Sequence, residues 1–250
     1  MSKMIAEIKY SLLMFSRNRG GMFWTFGFPI MLFAILGFMY APQAMPGNMA
    51  GANNMLEFML PGILGMSIMS AAMNSTVAIN VKNRARGIFR KLATTPISRI
   101  EWNASKIVTQ TIITLLSVGI SIVFAGLVFG LHPNIDVLAV FLMIMGTVTF
   151  VGLGLIFASL LKSEESATSA ANIVTFPLMF LSGSFFPVDN MPWFFKLVAD
   201  VSPLTYLNNG LREVMISGNA GDATTNLIIV ALIGAVFFIV GVAALKWKED

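Results

Sequence analysis

The chain has 250 residues, 56% of them apolar and only 11% charged, with a mean hydropathy of +0.80 and a formal net charge of +4. Soluble domains carry roughly 25% charged residues, so this composition excludes a water-covered globule and assigns most of the length to membrane spans of ~20 residues each. The lack of cysteine excludes disulfides and thiolate chemistry, and the single histidine, His132, excludes a His-rich metal cage.

Residues 1–20 set Ile5, Ile8, Leu12, Leu13 and Phe15 among Lys3, Glu7, Lys9, Arg17 and Arg19. This spacing suits a basic helix lying in the membrane interface with its apolar face down, with an ordinary cytoplasmic lead-in as the alternative. Apolar segments then predict six transmembrane helices at about 22–40, 57–81, 106–130, 136–161, 167–186 and 225–245. The expected fold is all-α, a polytopic membrane protein with residues 1–250 forming one transmembrane domain. The first segment is long for the core of a cleaved signal and its basic flank reaches Arg19, so it reads as a retained anchor.

Charge sets the expected orientation. With the N-terminus inside, 14 of the 16 Lys and Arg residues fall on the cytoplasmic side, and only Lys196 and Arg212 fall outside. The positive-inside bias then places both termini in the cytoplasm, and the cell membrane is the expected location of the chain. Lys246-Trp247-Lys248 reads as an interfacial anchor.

Two connections are unusual. The cytoplasmic loop 82–102 is long, basic and partly apolar, and Ile88, Phe89 and Leu92 align as one edge of a short helix that stops before Pro96. It is either a charged membrane-surface anchor or a docking helix for a cytoplasmic partner. The outer segment 187–224 holds Pro187, Pro192 and Pro203 between apolar stretches too short to span. It reads as a broken, partly re-entrant helical hairpin, with a plain surface loop as the alternative.

No Gly-Lys pair occurs, so the chain has no phosphate-binding loop of its own. No acidic residue falls at a predicted span centre, which disfavours an ion-coupled carrier. Uncharged polar residues do form stripes: Ser67, Ser70 and Asn74 on the second span, and Thr168, Asn172 and Thr175 on the fifth. Such stripes bridge helices by hydrogen bonds or line a solvated path, and the spacing alone leaves both readings open. Among the 18 methionines, Met66, Met69 and Met73 share a face; a soft-metal path is conceivable, but flexible packing is the commoner use.

The run Ser182-Gly183-Ser184-Phe185-Phe186-Pro187, then Pro192, Pro203-Leu204-Thr205-Tyr206 and Arg212, resembles the signature around the last two spans of type-2 ATP-binding cassette (ABC) exporter permeases. The resemblance covers essentially the whole chain. The loop from Arg86 to Arg99 is similar to the family's coupling helix at Gly87, Leu92, Thr95-Pro96 and Ser98-Arg99; acidic residues often precede that glycine in the family, whereas this chain has Arg84 and Arg86.

The resemblance implies a permease subunit, not an enzyme, that moves a drug, lipid, glycan or similar amphipathic molecule outward. It implies a separate ABC ATP-binding subunit that holds ATP and Mg, docked at Arg86, Gly87, Ile88, Phe89, Leu92, Thr95 and Pro96. It also implies a second permease copy, identical or related, with spans two and five of each lining the path. No cofactor, metal or nucleic acid is expected on this chain, and membrane lipid is the remaining partner. A membrane scaffold that docks a cytoplasmic partner without transport is the alternative.

Overall fold

A computed structural model describes residues 3–40, 55–88, 99–161 and 163–244. Among them the protein is helical with no strand, as the sequence predicts. Helix α1 spans Lys3–Arg17; α2, Arg19–Met22, runs through a π-helical turn at Phe23–Gly27 into α3, Phe28–Tyr40. Helix α4 spans Met55–Ala85, α5 Arg99–Phe129, α6 Val137–Leu160 and α7 Glu164–Leu181. The short helices α8, Trp193–Val201, and α9, Pro203–Arg212, precede a second π-helical turn at Glu213–Ser217 and the last helix, α10, Ala220–Ala244.

Five stretches are long and apolar enough to cross a membrane: Arg19–Tyr40, Met55–Ala85, Glu101–Phe129, Val137–Leu160 and Ala220–Ala244. They overlie five of the six predicted spans. Helix α7, over the predicted span 167–186, is not among them. Its 18 residues begin with Glu164 and Glu165 and contain Pro177, which lowers its mean hydropathy. It also stops at Leu181, before a non-helical run at 182–187.

Helix α4 is the centre of the bundle. In its most apolar window 78% of the residues are buried, against 17% in α10. Leu64, Ile68, Met69, Ala72, Met73 and Val77 are fully enclosed, so the methionine face at 66, 69 and 73 is core packing. Helix α6 packs between α4 and α10. Gly152 and Gly241 let α10 approach closely, since a Cβ on Gly152 would lie 2.7 Å from the Phe238 nitrogen and one on Gly241 2.8 Å from the Gly152 carbonyl. Thr149 Oγ1 donates to the Val230 carbonyl at 3.0 Å across the same contact. The outward faces of α5 (Leu116, Ile120, Val123, Leu127) and α10 (Ile228, Leu232, Val236, Ile239) are exposed and apolar, the surface a helix presents to lipid tails.

Candidate functional site: the seated hairpin and the open edge of the central helix

The proline-rich segment forms the expected broken hairpin. Pro187 precedes a single 3-10 turn, Pro192 precedes α8, and Pro203 opens α9 at its first position, where a missing N–H costs no hydrogen bond. Gly183 turns the chain at φ +70°, a conformation in which side chains with a Cβ are strained. Ser182 and Ser202 share a hydroxyl–hydroxyl hydrogen bond of 2.7 Å that closes the base of the hairpin. Tyr206 donates its hydroxyl to the Asp200 carbonyl at 2.6 Å, bracing α9 against the end of α8.

Arg212 is buried at the end of α9. Its guanidinium donates to Asn209 Oδ1 at 3.1 Å, the Gly183 carbonyl at 3.0 Å and the Phe58 carbonyl at 3.4 Å. It also stacks 3.9 Å from the Phe58 ring centroid. One side chain thus ties α9 to the turn at Gly183, beside the base of the hairpin, and to the start of α4.

The sequence reading missed the other half of this seat. Asn208 Nδ2 donates to the Ser182 carbonyl at 3.0 Å and to Ser184 Oγ at 2.9 Å. Thr205, Asn208 and Arg212 lie on one face of α9, at i, i+3 and i+7, and all three are buried. Opposite them α4 presents Pro61-Gly62 and Gly65. A Cβ on Gly62 would lie 2.6 Å from Ser184 Cα, and one on Gly65 would collide with Asn208 Oδ1. The two glycines form the floor on which the hairpin rests. The i, i+3, i+7 pattern and the small residues were visible in the sequence; their meeting was not.

The two predicted polar stripes belong to helices that pack together, α4 and α7, but their members differ. Ser67 is buried and donates to its own Ile63 carbonyl at 2.6 Å. Thr175 is buried and donates to Met73 Sδ at 3.4 Å. Ser70, Asn74, Thr168 and Asn172 are only partly buried. Ser70, Ala71, Asn74, Ser75, Ala78 and Ile79 lie on one edge of α4; the first five are partly open and Ile79 is exposed, while every other residue between Phe58 and Val81 is buried. Asn74 Oδ1 on that edge is buried and lacks a hydrogen-bond partner among the described residues.

At the other end of α4, Arg84 Nη1 donates to the Leu161 carbonyl at 3.1 Å and ties the end of α4 to the end of α6. Arg86 and Gly87 then form a turn, with Gly87 at φ +64°. Ile88 is the last described residue before position 99; Phe89, Leu92, Thr95 and Pro96 lie outside the described residues.

Residues 3–216 match the family described as ABC-2 type transporter. Among known proteins, the chain is 25% identical over 164 residues to the linearmycin resistance permease protein LnrN of Bacillus subtilis (strain 168), covering 65% of this chain and 43% of that protein. It is 24% identical over 200 residues to the probable multidrug ABC transporter permease YbhS of Escherichia coli (strain K12), covering 77% and 52%. It is 25% identical over 185 residues to the daunorubicin resistance ABC transporter permease protein DrrB1 of Streptomyces coeruleorubidus, covering 72% and 64%. The chain thus spans about half the length of the first two relatives.

Proposed function

The chain belongs to the ABC-2 type transporter family, and on that premise we propose that it is the permease subunit of an exporter driven by a separate ABC ATP-binding subunit. The nucleotide and its magnesium belong to that partner, and a second permease copy completes the path. Relatives named for resistance to linearmycin and daunorubicin support an amphipathic organic molecule as cargo. The observation that carries the reading is the open polar edge of α4. The most enclosed helix of the bundle leaves one edge partly open, and that edge holds Ser70, Asn74 and Ser75 beside two alanines and the exposed Ile79.

Asn74 separates a path from a helix bridge. A buried amide oxygen without a partner costs about 1–3 kcal/mol, so replacing Asn74 with leucine relieves a penalty if the residue is only structural. A path residue loses its contact with cargo instead. Asn74→Leu and Asn172→Leu are expected to insert at normal yield and to reduce ATP-dependent cargo flux about tenfold in vesicles holding both subunits. Normal flux in both variants defeats the path assignment. Partner binding without flux in the native protein supports the scaffold reading.

Six spans with both termini inside remain the proposed topology, with α7 crossing against α4 and a second copy. In intact cells, single cysteines replacing Ser2, Ala93 or Asp250 are expected to resist an impermeant thiol reagent, whereas those replacing Asn53 or Asp222 label. The native chain has no cysteine, so it contributes no background. Labelling at Ala93 in sealed cells reverses the orientation.

A further inference from the structure

Helix α1 has two working faces. One locks onto α5: Lys106 Nζ meets Glu7 Oε1 at 2.6 Å, donates to Ser11 Oγ at 2.8 Å and sits 5.2 Å from the Trp102 ring centroid. The other carries Ile5, Lys9, Leu13 and Arg17 at i, i+4, i+8 and i+12, and all four are exposed. Tyr10 and Met14 flank this stripe, and they are exposed as well. Arg19 follows at the corner into α2, and Phe23 and Trp24 stand exposed beyond it, with ring centroids 5.9 Å apart.

We propose that this outward face, from Ile5 to Trp24, binds the headgroups of anionic phospholipids. The charge balance points to that class. Glu7 is the sole acidic residue before Met55, and its carboxylate is taken up by Lys106. Lys9, Arg17 and Arg19 therefore face outward without an exposed acid among them. Apolar side chains alone would hold any lipid; three exposed cations with no ion pair among the described residues favour a headgroup with net negative charge. Alternation of aliphatic and basic positions lets the stems sit among acyl chains while the charged ends reach phosphates. Phe23 and Trp24 continue the stripe into the first span, where aromatic rings mark the headgroup level. The surface is continuous with the span that enters the lipid, which favours lipid over a protein partner. This inference rests on the membrane character of the chain and not on transport.

The test uses the full chain with Trp102, Trp193 and Trp247 replaced by phenylalanine, so that Trp24 reports alone. It is reconstituted in phosphatidylcholine vesicles containing a minor fraction of brominated phosphatidylglycerol or brominated phosphatidylcholine, and quenching gives the relative association of each lipid. Each basic residue at an anionic surface contributes about fivefold, so a preference for phosphatidylglycerol of at least about fivefold is expected. It should fall to near unity in Lys9→Gln/Arg17→Gln/Arg19→Gln and weaken in high salt. An unchanged Trp24 emission maximum and elution volume confirm that the variant is folded. A native ratio near one overturns the proposal, as does full preference retained by the triple variant. A native ratio near one together with loss of the ATPase subunit from the triple variant overturns it in favour of a protein contact.

Discussion

Gly62→Val is expected to insert normally yet fail to seat the hairpin, and so to lose both thermal stability and transport. The collision is with backbone: the added Cβ falls 2.6 Å from Ser184 Cα and closer still to its carbonyl. Backbone held at both sides cannot step aside as a side-chain tip does. Overpacking of this kind costs roughly 1–3 kcal/mol or more. Displacement of Ser184 also disturbs the Asn208 bonds at 2.9 and 3.0 Å and the Arg212 bond to Gly183. The comparison is Gly119→Val on α5, where an added Cβ meets no atom within 4 Å. In mild detergent, Gly62→Val should unfold several degrees below Gly119→Val, and a cysteine replacing Ser184, enclosed in the native protein, should become reactive. Equal melting of the two valine variants would show that the hairpin does not rest on this glycine.

The contrast between spans and seat explains what the sequence reveals. Spans are local: some twenty apolar residues in a row identify themselves, and their predicted positions overlie five of the long helices. The broken hairpin was legible for the same reason, because Pro187, Pro192 and Pro203 each act on the residues beside them. The floor at Gly62 and Gly65 was not, since it depends on an approach by residues 184 and 208 from far along the chain. The polar stripes fall between these cases. Helical spacing tells which residues share a face but not which face a neighbour covers. Thus Ser67 and Thr175 are enclosed and bonded, while Ser70, Asn74, Thr168 and Asn172 on the same predicted stripes remain partly open. Helix α7 stopped short of its predicted end because Gly183 at φ +70° breaks a run whose hydropathy alone would have continued to Phe186.

Phe89→Ala combined with Leu92→Ala is expected to release the ATP-binding subunit and abolish ATP-driven flux. The loop that carries these residues leaves from two fixed points. At one, Arg84 clamps the end of α4 to the Leu161 carbonyl; at the other, Trp102 is buried and Lys106 is paired with Glu7 at the start of α5. A loop held at both ends can pass a push from a docked partner into α4, the helix at the centre of the bundle. In such docking a few apolar anchors carry most of the affinity, at about 2 kcal/mol or more each. Losing two therefore weakens the complex on the order of several hundredfold. A purely electrostatic anchor has the opposite profile, depending on the basic residues and tolerating loss of the apolar edge. Co-purification in mild detergent separates the two, with Arg90→Gln plus Lys91→Gln as the comparison. The apolar double variant should insert at normal yield and elute without its ATPase, whereas the charge variant retains part of it. Full retention by the apolar variant would assign the loop to the membrane surface and leave the docking site to be found elsewhere on the cytoplasmic face.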